Sequence, residues 1–335
     1  MIALAMAWTA TAAAQFEPQP LPLTGEPTVK DRALFSRSHK PALPSAYLKP
    51  VEIHVPGAKF VKVRFSEFRL PHGITVEVSN PDGSETWRYS ASERDAITVN
   101  SELGDDGDQA FSAMSVTGDT AIIRYTGLTS RFDPYLHSVV IDSWKRDETV
   151  VASSEKELKS STSPSLESSC GESERYEAVC WANDHPDEYE RSTPVALIIT
   201  ATGKQCSAWR VGRQNRLFTA RHCIGGQSAL DGAEIWFNYE STVCGGEESA
   251  QIVKVTGHEL LASDYHLDYT LFSVNDFEKI RAFGNLGLDL RDGELGEDIF
   301  IPKHGNCNPK QIAVDSDMNT SGLCEIDAND IDGFI

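Results

Sequence analysis

Short runs in which apolar and polar residues alternate dominate two long stretches of this chain. Alternation with a period of two is typical of half-buried β-strands. In the first stretch the runs lie at 51–55, 60–65, 74–78, 120–125 and 138–142. An Asn-Pro-Asp-Gly sequence at 80–83 is a turn signal between two of them. The pattern predicts an antiparallel β-sandwich over 51–145.

The second stretch repeats this β-type pattern closer to the C-terminus. Its runs lie at 195–199, 208–211, 216–220, 233–237 and 269–274. Long amphipathic helical patterns are missing, and no internal repeat is found. We therefore predict an all-β protein with two β domains, which fits a length of 335 residues.

The segments outside these stretches are expected to be leaders and linkers. Residues 1–14 are almost all apolar or small and end in three alanines, as in a secretory signal peptide. Residues 15–50 are rich in proline without strand or helix periodicity and are interpreted as a linker or pro-segment. Residues 146–168 are rich in Ser, Glu and Lys and predict an exposed linker. The second domain then occupies 169–335.

The charge of the chain excludes several classes of partner. Thirty Lys and Arg residues stand against 50 Asp and Glu, a net charge of −20. This balance repels phosphate backbones and anionic lipid. No apolar run reaches the roughly 20 residues that a membrane-spanning helix needs. We expect neither nucleic-acid nor membrane binding.

All seven cysteines lie in the second half of the chain. They are Cys170, Cys180, Cys206, Cys223, Cys244, Cys307 and Cys324. No C-x-x-C pair is present, so a disulfide framework is favoured over a metal site, and one cysteine is left over. Asn319 begins a glycosylation sequon. These features predict a secreted, extracellular protein without metal or cofactor.

Two short motifs carry residues suited to acid–base chemistry. Thr-Ala-Arg-His-Cys at 219–223 ends a predicted strand, and a disulfide from Cys206 to Cys223 would hold that strand end and fix His222. Asp268 precedes the predicted strand at 269–274. A histidine suits a general base because its pKa lies near working pH, and a carboxylate can hold its ring in the right tautomer.

These motifs, their order and the Cys206–Cys223 clamp resemble the trypsin-like (chymotrypsin-fold) serine endopeptidases, and more closely the secreted microbial branch that includes lysyl endopeptidases. The resemblance spans roughly 169–324. It implies a double β-barrel that cleaves protein or peptide substrates, with His222 as general base and Asp268 as the carboxylate that orients it.

The resemblance also implies a disulfide pattern. Cys180 is placed to pair with Cys244, and Cys307 would pair with Cys324. The cysteine that corresponds to Cys170 pairs with the second barrel in the related enzymes, so Cys170 is expected to be unpaired in this chain.

The nucleophile of that family is missing from this sequence. It lies in a Gly-x-Ser-Gly-Gly/Ser-Pro element, and the nearest string, Ser321-Gly322, lacks the flanking residues. Residues 289–335 supply only the opening strands of a second barrel. We therefore expect a chain truncated before its nucleophile and inactive as it stands. A truncated gene sequence and a natural inactive homologue, acting as a secreted binding protein, both remain open.

Other interpretations of single residues carry less weight. The acidic loop at 264–268 could be a metal site, but a loop leading into the strand explains the same residues and is favoured. His258-Glu259 lacks the second histidine of a zinc-protease helix. His54, His72, His137 and His304 are predicted to be surface or turn residues.

The sandwich offers two further hypotheses. Phe68, Trp87 and Tyr89 lie in polar surroundings and are expected to be exposed, where they could mark a sugar or protein surface, although ordinary packing explains them as well. Alternatively, the sandwich acts as a pro-domain that is released by cleavage of the linker.

Overall fold

The computed structural model describes residues 24–25, 33–35, 50–127, 133, 136–147, 176–246, 249–315 and 323–326. The predicted signal peptide lies outside these residues, as does most of both predicted linkers. Within them the fold is nearly all β, so the all-β prediction is confirmed. The helices are α1 (Pro186–Arg191), α2 (Gln227–Asp231) and α3 (Phe277–Ile280).

Strands run through the whole described part of the chain. The N-terminal strands are β1 (Thr24–Gly25), β2 (Ala33–Phe35), β3 (Val51–His54), β4 (Phe60–Arg69), β5 (Ile74–Ser79), β6 (Thr86–Ser90), β7 (Ile97–Thr98), β8 (Phe111–Ala113), β9 (Val116–Thr117), β10 (Thr120–Gly127) and β11 (Ser138–Arg146). The C-terminal strands are β12 (Tyr176–Glu177), β13 (Val195–Ile199), β14 (Gln205–Arg210), β15 (Leu217–Ala220), β16 (Glu234–Phe237), β17 (Val253–Asp264), β18 (Tyr269–Val274), β19 (Ile301–Lys303) and β20 (Gln311–Ala313).

The N-terminal strands form two antiparallel sheets. The larger has the order β1-β11-β4-β8-β7, with β2 also paired to β11 and β9 to β4, and the smaller has the order β3-β10-β5-β6. Side chains from both sheets share one apolar cluster, so the pair is a sandwich. Strands β1 and β2 fall where the sequence indicated only a linker or pro-segment. Backbone pairing to β11 is what orders them.

The aromatic residues of the sandwich are packed in its core. Phe68 and Tyr89 are 2% and 0% exposed, so the expectation that they lie on the surface is wrong. Phe68 contacts Phe65 and Phe111, with ring centroids 5.3 and 5.0 Å apart. Trp87 is partly buried, and its indole N–H donates to a backbone carbonyl. These residues stabilise the fold by burying apolar surface.

The C-terminal strands form a closed six-stranded barrel in the order β13-β14-β15-β18-β17-β16. Ala196, Leu217, Ile235 and Phe272 are among the fully buried residues of its core. Strands β19 and β20 lie in the region where the opening strands of a second barrel were expected, and they form a separate three-stranded sheet with β12, which precedes the first barrel in the chain.

A buried group of charges joins the sandwich to the barrel. The Glu234 carboxylate of β16 is 2.8 Å from the Lys62 ammonium of β4 and accepts a hydrogen bond from the Ser115 backbone N–H at 3.0 Å. Lys254 of β17 pairs with Glu85 at 2.8 Å and donates to the Ser115 carbonyl at 2.9 Å. The side chains of Glu234, Lys62 and Lys254 are 0–2% exposed. We call these five residues the interface network.

None of the helices in the described ranges is long and apolar enough to cross a bilayer.

Candidate active site

The register between β15 and β18 brings His222 and Asp268 together. Ala220, the last residue of β15, lies opposite Tyr269, the first residue of β18. The Arg221 backbone N–H donates to the Asp268 carbonyl at 3.0 Å, which extends the pairing by one step. His222 follows β15 and Asp268 precedes β18, so both lie at the same end of the barrel.

The Asp268 carboxylate holds His222 at two points. Its Oδ2 atom is 2.6 Å from the ring Nδ1, and its Oδ1 atom accepts the His222 backbone N–H at 2.9 Å. Since an ionised carboxylate only accepts hydrogen bonds, Nδ1 carries the proton of the neutral ring and Nε2 has a free lone pair. Both side chains remain accessible, with 63% of His222 and 47% of Asp268 exposed.

Hydrogen bonds keep the Asp268 carboxylate ionised. The backbone N–H of His222, followed by its side chain, holds the pKa of Asp268 below the ordinary value of 3.8. The carboxylate is therefore negative at neutral pH, where it can stabilise an imidazolium at His222.

Asp268 itself has a left-handed backbone, with φ of 45°. Aspartate tolerates this region better than most residues. The preceding loop is closed by Asp264, whose Oδ1 atom accepts the backbone N–H groups of His266 and Leu267 at 2.8 and 2.9 Å. Asp264 is thus used to form the turn that presents Asp268. The described residues contain no group of three or more His, Cys, Asp or Glu that could hold a metal ion.

A disulfide beside the His222–Asp268 pair links β14 to the segment that follows β15. Cys206 of β14 is bonded to Cys223, the residue after His222, with a Cα–Cα distance of 6.2 Å. The Thr219 hydroxyl also donates to the Ser207 carbonyl of β14 at 2.8 Å. The backbone on both sides of His222 is therefore tied to the barrel.

The described cysteines outside this disulfide are Cys180, Cys244, Cys307 and Cys324. Cys180 is joined to Cys244, as the resemblance implies. The expected Cys307–Cys324 disulfide is wrong, because the two sulfurs lie in different surroundings. Cys307 is packed with Trp236 and Tyr239, and burial raises the pKa of its thiol to about 12.

Cys324 lies in an extended segment near the C-terminus. Its Sγ lies 2.9 Å from the Asp315 carbonyl oxygen, and its backbone N–H donates to the Val314 carbonyl. Cys170 and Asn319 lie outside the described residues.

Of the other histidines, His304 differs from its prediction. His54 and His72 are exposed and His137 lies partly buried beside a turn. His304 is 4% exposed and stacks on Tyr239 with ring centroids 5.9 Å apart. Burial, with a contribution from the nearby Lys310 charge, lowers the pKa of His304 to about 3. This histidine stays neutral and forms part of the core.

A cavity of about 220 Å³ lies beside His222 and is lined by both β units. The sandwich contributes Asn100 and Glu102, and the barrel contributes Thr200, Lys204 and Ser228 among others. Sequence reasoning missed this cavity and the interface network. For the network one signal was available, a carboxylate at position 234 inside a run of apolar strand residues. For the cavity there was none, because its walls come from distant segments.

Comparison with known proteins supports a relationship to lysyl endopeptidases. Residues 171–329 match the family described as Lysyl endopeptidase, C-terminal domain. The chain is also 24% identical over 280 residues to Secreted RxLR effector protein 73 of Plasmopara viticola. That alignment covers 78% of this chain and 63% of the relative. The barrel with its histidine and aspartate lies inside the matched region, so the protein is related to a class of peptidases.

Proposed function

We propose that this chain carries the general base and the orienting carboxylate of a serine endopeptidase, His222 and Asp268. The proposal rests on one observation, the 2.6 Å contact between His222 Nδ1 and Asp268 Oδ2 at the accessible end of the barrel. The match to lysyl endopeptidases supports the same chemistry. The proposed substrates of this protein are proteins or peptides.

In this mechanism Nε2 of His222 takes the proton of a serine hydroxyl as the serine Oγ bonds to the scissile carbonyl carbon. Asp268 holds the ring so that Nδ1–H faces the carboxylate, and its charge stabilises the imidazolium. The same proton then passes from Nε2 to the leaving nitrogen as the C–N bond breaks. The exposure of His222 leaves room for a substrate to approach.

The serine is the part of the mechanism that remains to be assigned. Among the residues that the structure describes, none donates to or accepts from the Nε2 atom of His222. The sequence contains no Gly-x-Ser-Gly-Gly/Ser-Pro element. The experiment must therefore identify the reacting serine as well as measure reactivity.

The same proposal places the protein outside the cell. The disulfides Cys180–Cys244 and Cys206–Cys223 persist in oxidising compartments. The similar effector from Plasmopara viticola is described as secreted. The apolar residues 1–14 would serve as the signal peptide.

A fluorophosphonate probe tests the peptidase proposal. The protein is purified from its native source, labelled, and mapped by mass spectrometry to find the modified serine. We expect labelling that is lost in His222→Gln expressed in the same source. The matched control is His258→Gln, an exposed histidine whose ring has no part in the pair. A folded protein that takes no label, or a His222→Gln variant that labels normally, contradicts the proposal.

A second candidate is a secreted protein that binds peptides without cleaving them. The effector relative and the absence of a serine bonded to His222 in the described residues favour it. In that case the probe finds no serine, and peptides incubated with the protein are bound yet remain intact by mass spectrometry.

A further inference from the structure

We propose that the sandwich is a permanent partner of the barrel, so that cutting the linker between them leaves two fragments that stay bound to each other. The surface that holds the sandwich is the outer face of β13 and β16. Apolar packing, buried charges and close backbone approach all occur between the two units. The proposed assembly holds whether or not the barrel cleaves peptides.

Strand β13 is buried on both of its faces, although the outer face of a barrel strand normally meets water. Ala196 and Ile198 belong to the barrel core, whereas Leu197 and Ile199 alternate with them and point outward. Phe60 of the sandwich packs in the same outer cluster as Leu197 and Ile199, and all three are fully buried. Loss of the sandwich would uncover part of this apolar cluster, which soluble domains avoid exposing.

Trp236 of β16 connects the apolar cluster to the interface network. Its ring is 1% exposed and meets Phe60 edge-on, with ring centroids 5.8 Å apart. The Lys254 ammonium lies 3.9 Å from the centroid of the same ring. The indole N–H donates to the Glu234 carboxylate at 3.0 Å. Apolar and charged contacts therefore form one continuous surface.

The interface network fixes how the sandwich sits on this surface. The Glu234 carboxylate accepts from the backbone N–H and the hydroxyl of Ser115, at 3.0 and 2.5 Å, and pairs with Lys62. The charge order is reversed in the second pair, where the barrel supplies Lys254 and the sandwich supplies Glu85. Since buried pairs contribute more to specificity than to affinity, we assign the orientation to the network and the affinity to the apolar cluster.

A further contact joins the two units near His222. The Val99 backbone N–H of the sandwich donates to the Asp231 carbonyl at the end of α2 at 2.9 Å. Gly232 follows, and a Cβ there would lie only 3.3 Å from the Val99 carbonyl oxygen. The sandwich is thus held at α2 as well as at β16. In the cut protein its residues should still line the cavity beside His222.

No disulfide can hold the two fragments together after a cut near residue 160. All seven cysteines lie at position 170 or beyond, so the fragment that carries the sandwich contains none. Association of the cut fragments therefore reports the non-covalent contact alone.

Controlled cutting of the full-length protein tests the proposal. A recognition sequence for a site-specific protease is inserted between Ser160 and Ser161, within the predicted linker, and denaturing electrophoresis verifies the cut. Analytical ultracentrifugation with fluorescence detection gives the native mass at about 10 and about 0.1 µM protein. We expect the mass of the whole chain at both concentrations, as for a complex with a Kd well below about 0.1 µM. Separation of the fragments at either concentration would overturn the proposal and favour a sandwich that is released.

Two substitutions on strand β4 show which contact holds the fragments. Phe60→Leu removes the edge-on contact with Trp236, whereas Phe68→Leu is the matched control, because the Phe68 ring packs inside the sandwich against Phe65 and Phe111. Cut protein is mixed with ¹⁵N-labelled cut protein, and native mass spectrometry follows the exchange of fragments. Circular dichroism of the uncut variants verifies that each is folded.

We expect Phe60→Leu to exchange fragments about tenfold faster than the unchanged cut protein, since interface substitutions act mainly on dissociation. Phe68→Leu should exchange at the unchanged rate. Equal acceleration in both variants, or none in Phe60→Leu, would contradict the assignment of the affinity to the outer face of β13 and β16.

Discussion

The interface network and the His222–Asp268 pair are both built from a carboxylate and a basic group, yet their surroundings are opposite. Glu234 and Lys62 are 0% and 2% exposed, whereas Asp268 and His222 are 47% and 63% exposed. Burial alone would raise the pKa of Glu234, but the charges of Lys62 and Lys254 outweigh it and the pKa lies below its ordinary value. Asp268 has its pKa lowered mainly by one backbone N–H.

The difference shows that a buried ion pair mainly affects the stability of the fold, whereas an exposed pair is available for reaction with a substrate. A buried pair cannot lose one partner without leaving an uncompensated charge, so it is strongly coupled to folding. An exposed pair contributes little to stability because water screens it. In the His222–Asp268 pair, however, the Nε2 atom of His222 faces away from Asp268 and is accessible to a substrate.

The largest effect is expected at the exposed pair, and in rate rather than stability. Asp268→Asn keeps the shape but removes the charge that orients the ring, which in serine triads lowers turnover by about 10⁴-fold. The rate of fluorophosphonate labelling should fall by this order while the melting temperature stays nearly constant. Asp276→Asn, which alters an exposed ion pair with Lys279, serves as control. An unchanged labelling rate in Asp268→Asn would mean that the pair is not used.

The next effect is expected at the interface network. Glu234→Gln leaves Lys62 buried without its counter-ion and should lower the free energy of unfolding by about 3–5 kcal/mol. Urea denaturation measures this loss. Glu278→Gln breaks an exposed pair with Arg281 and should cost less than about 1 kcal/mol. Similar losses in the two variants would contradict the division between buried and exposed pairs.

The disulfide beside His222 tests whether the exposed site depends on covalent support. Replacing both Cys206 and Cys223 by serine opens a loop with a sequence separation of 17, for which chain entropy gives about 3 kcal/mol. The Cys180–Cys244 pair, with a separation of 64, should cost about 4 kcal/mol on the same basis. Calorimetry on both double variants compares them. A negligible loss at Cys206–Cys223 would show that strand pairing alone holds the site.

A buried histidine, His304, and an exposed one, His258, should affect stability differently at acidic pH. His304 binds no proton in the folded state until about pH 3, whereas the unfolded chain binds one below about pH 6.5. Since the unfolded state holds more protons in this window, the free energy of unfolding decreases as the pH is lowered, by up to about 1.4 kcal/mol per pH unit. We expect a loss near 2 kcal/mol from about pH 6 to about pH 4.5, measured by urea denaturation. His304→Phe should flatten this slope, whereas His258→Gln, at an exposed position, should leave it unchanged.

The strands and the site could largely be predicted from sequence because their signals are local. Alternation marks each strand, and the residues at 219–223 and 268 lie next to strand ends. Phe68 was mispredicted because β4 is irregular. Its pairing with β11 shifts register between Glu67 and Phe65, with Ser66 as the extra residue. The bulge turns Phe65 and Phe68 to the same face although they are three residues apart.

The remaining errors come from contacts between distant segments. The family resemblance implied a Cys307–Cys324 bond, but Cys307 is buried against Trp236 and is not bonded to Cys324. The sequence around His304 indicates a turn, and a 3₁₀ turn does follow at Gly305–Cys307. Stacking on Tyr239 then buries the ring. No local pattern in the sequence reports either packing partner.

The smallest effect is expected in the acid titration of Asp268 itself. Its folded pKa lies below 3.8, so the pair adds stability above the unfolded pKa and loses it as pH falls through the folded pKa. The contribution should stay under about 1 kcal/mol, because the carboxylate is half exposed and screened by solvent. Carbon-detected NMR gives the midpoint, and urea denaturation compares the protein with Asp268→Asn. The two should converge once the pH falls below the folded pKa of Asp268, and added salt should reduce their difference at neutral pH. A midpoint above 3.8 would mean that the His222 N–H does not stabilise the ionised form, and the exposed pair would then lose its electrostatic basis.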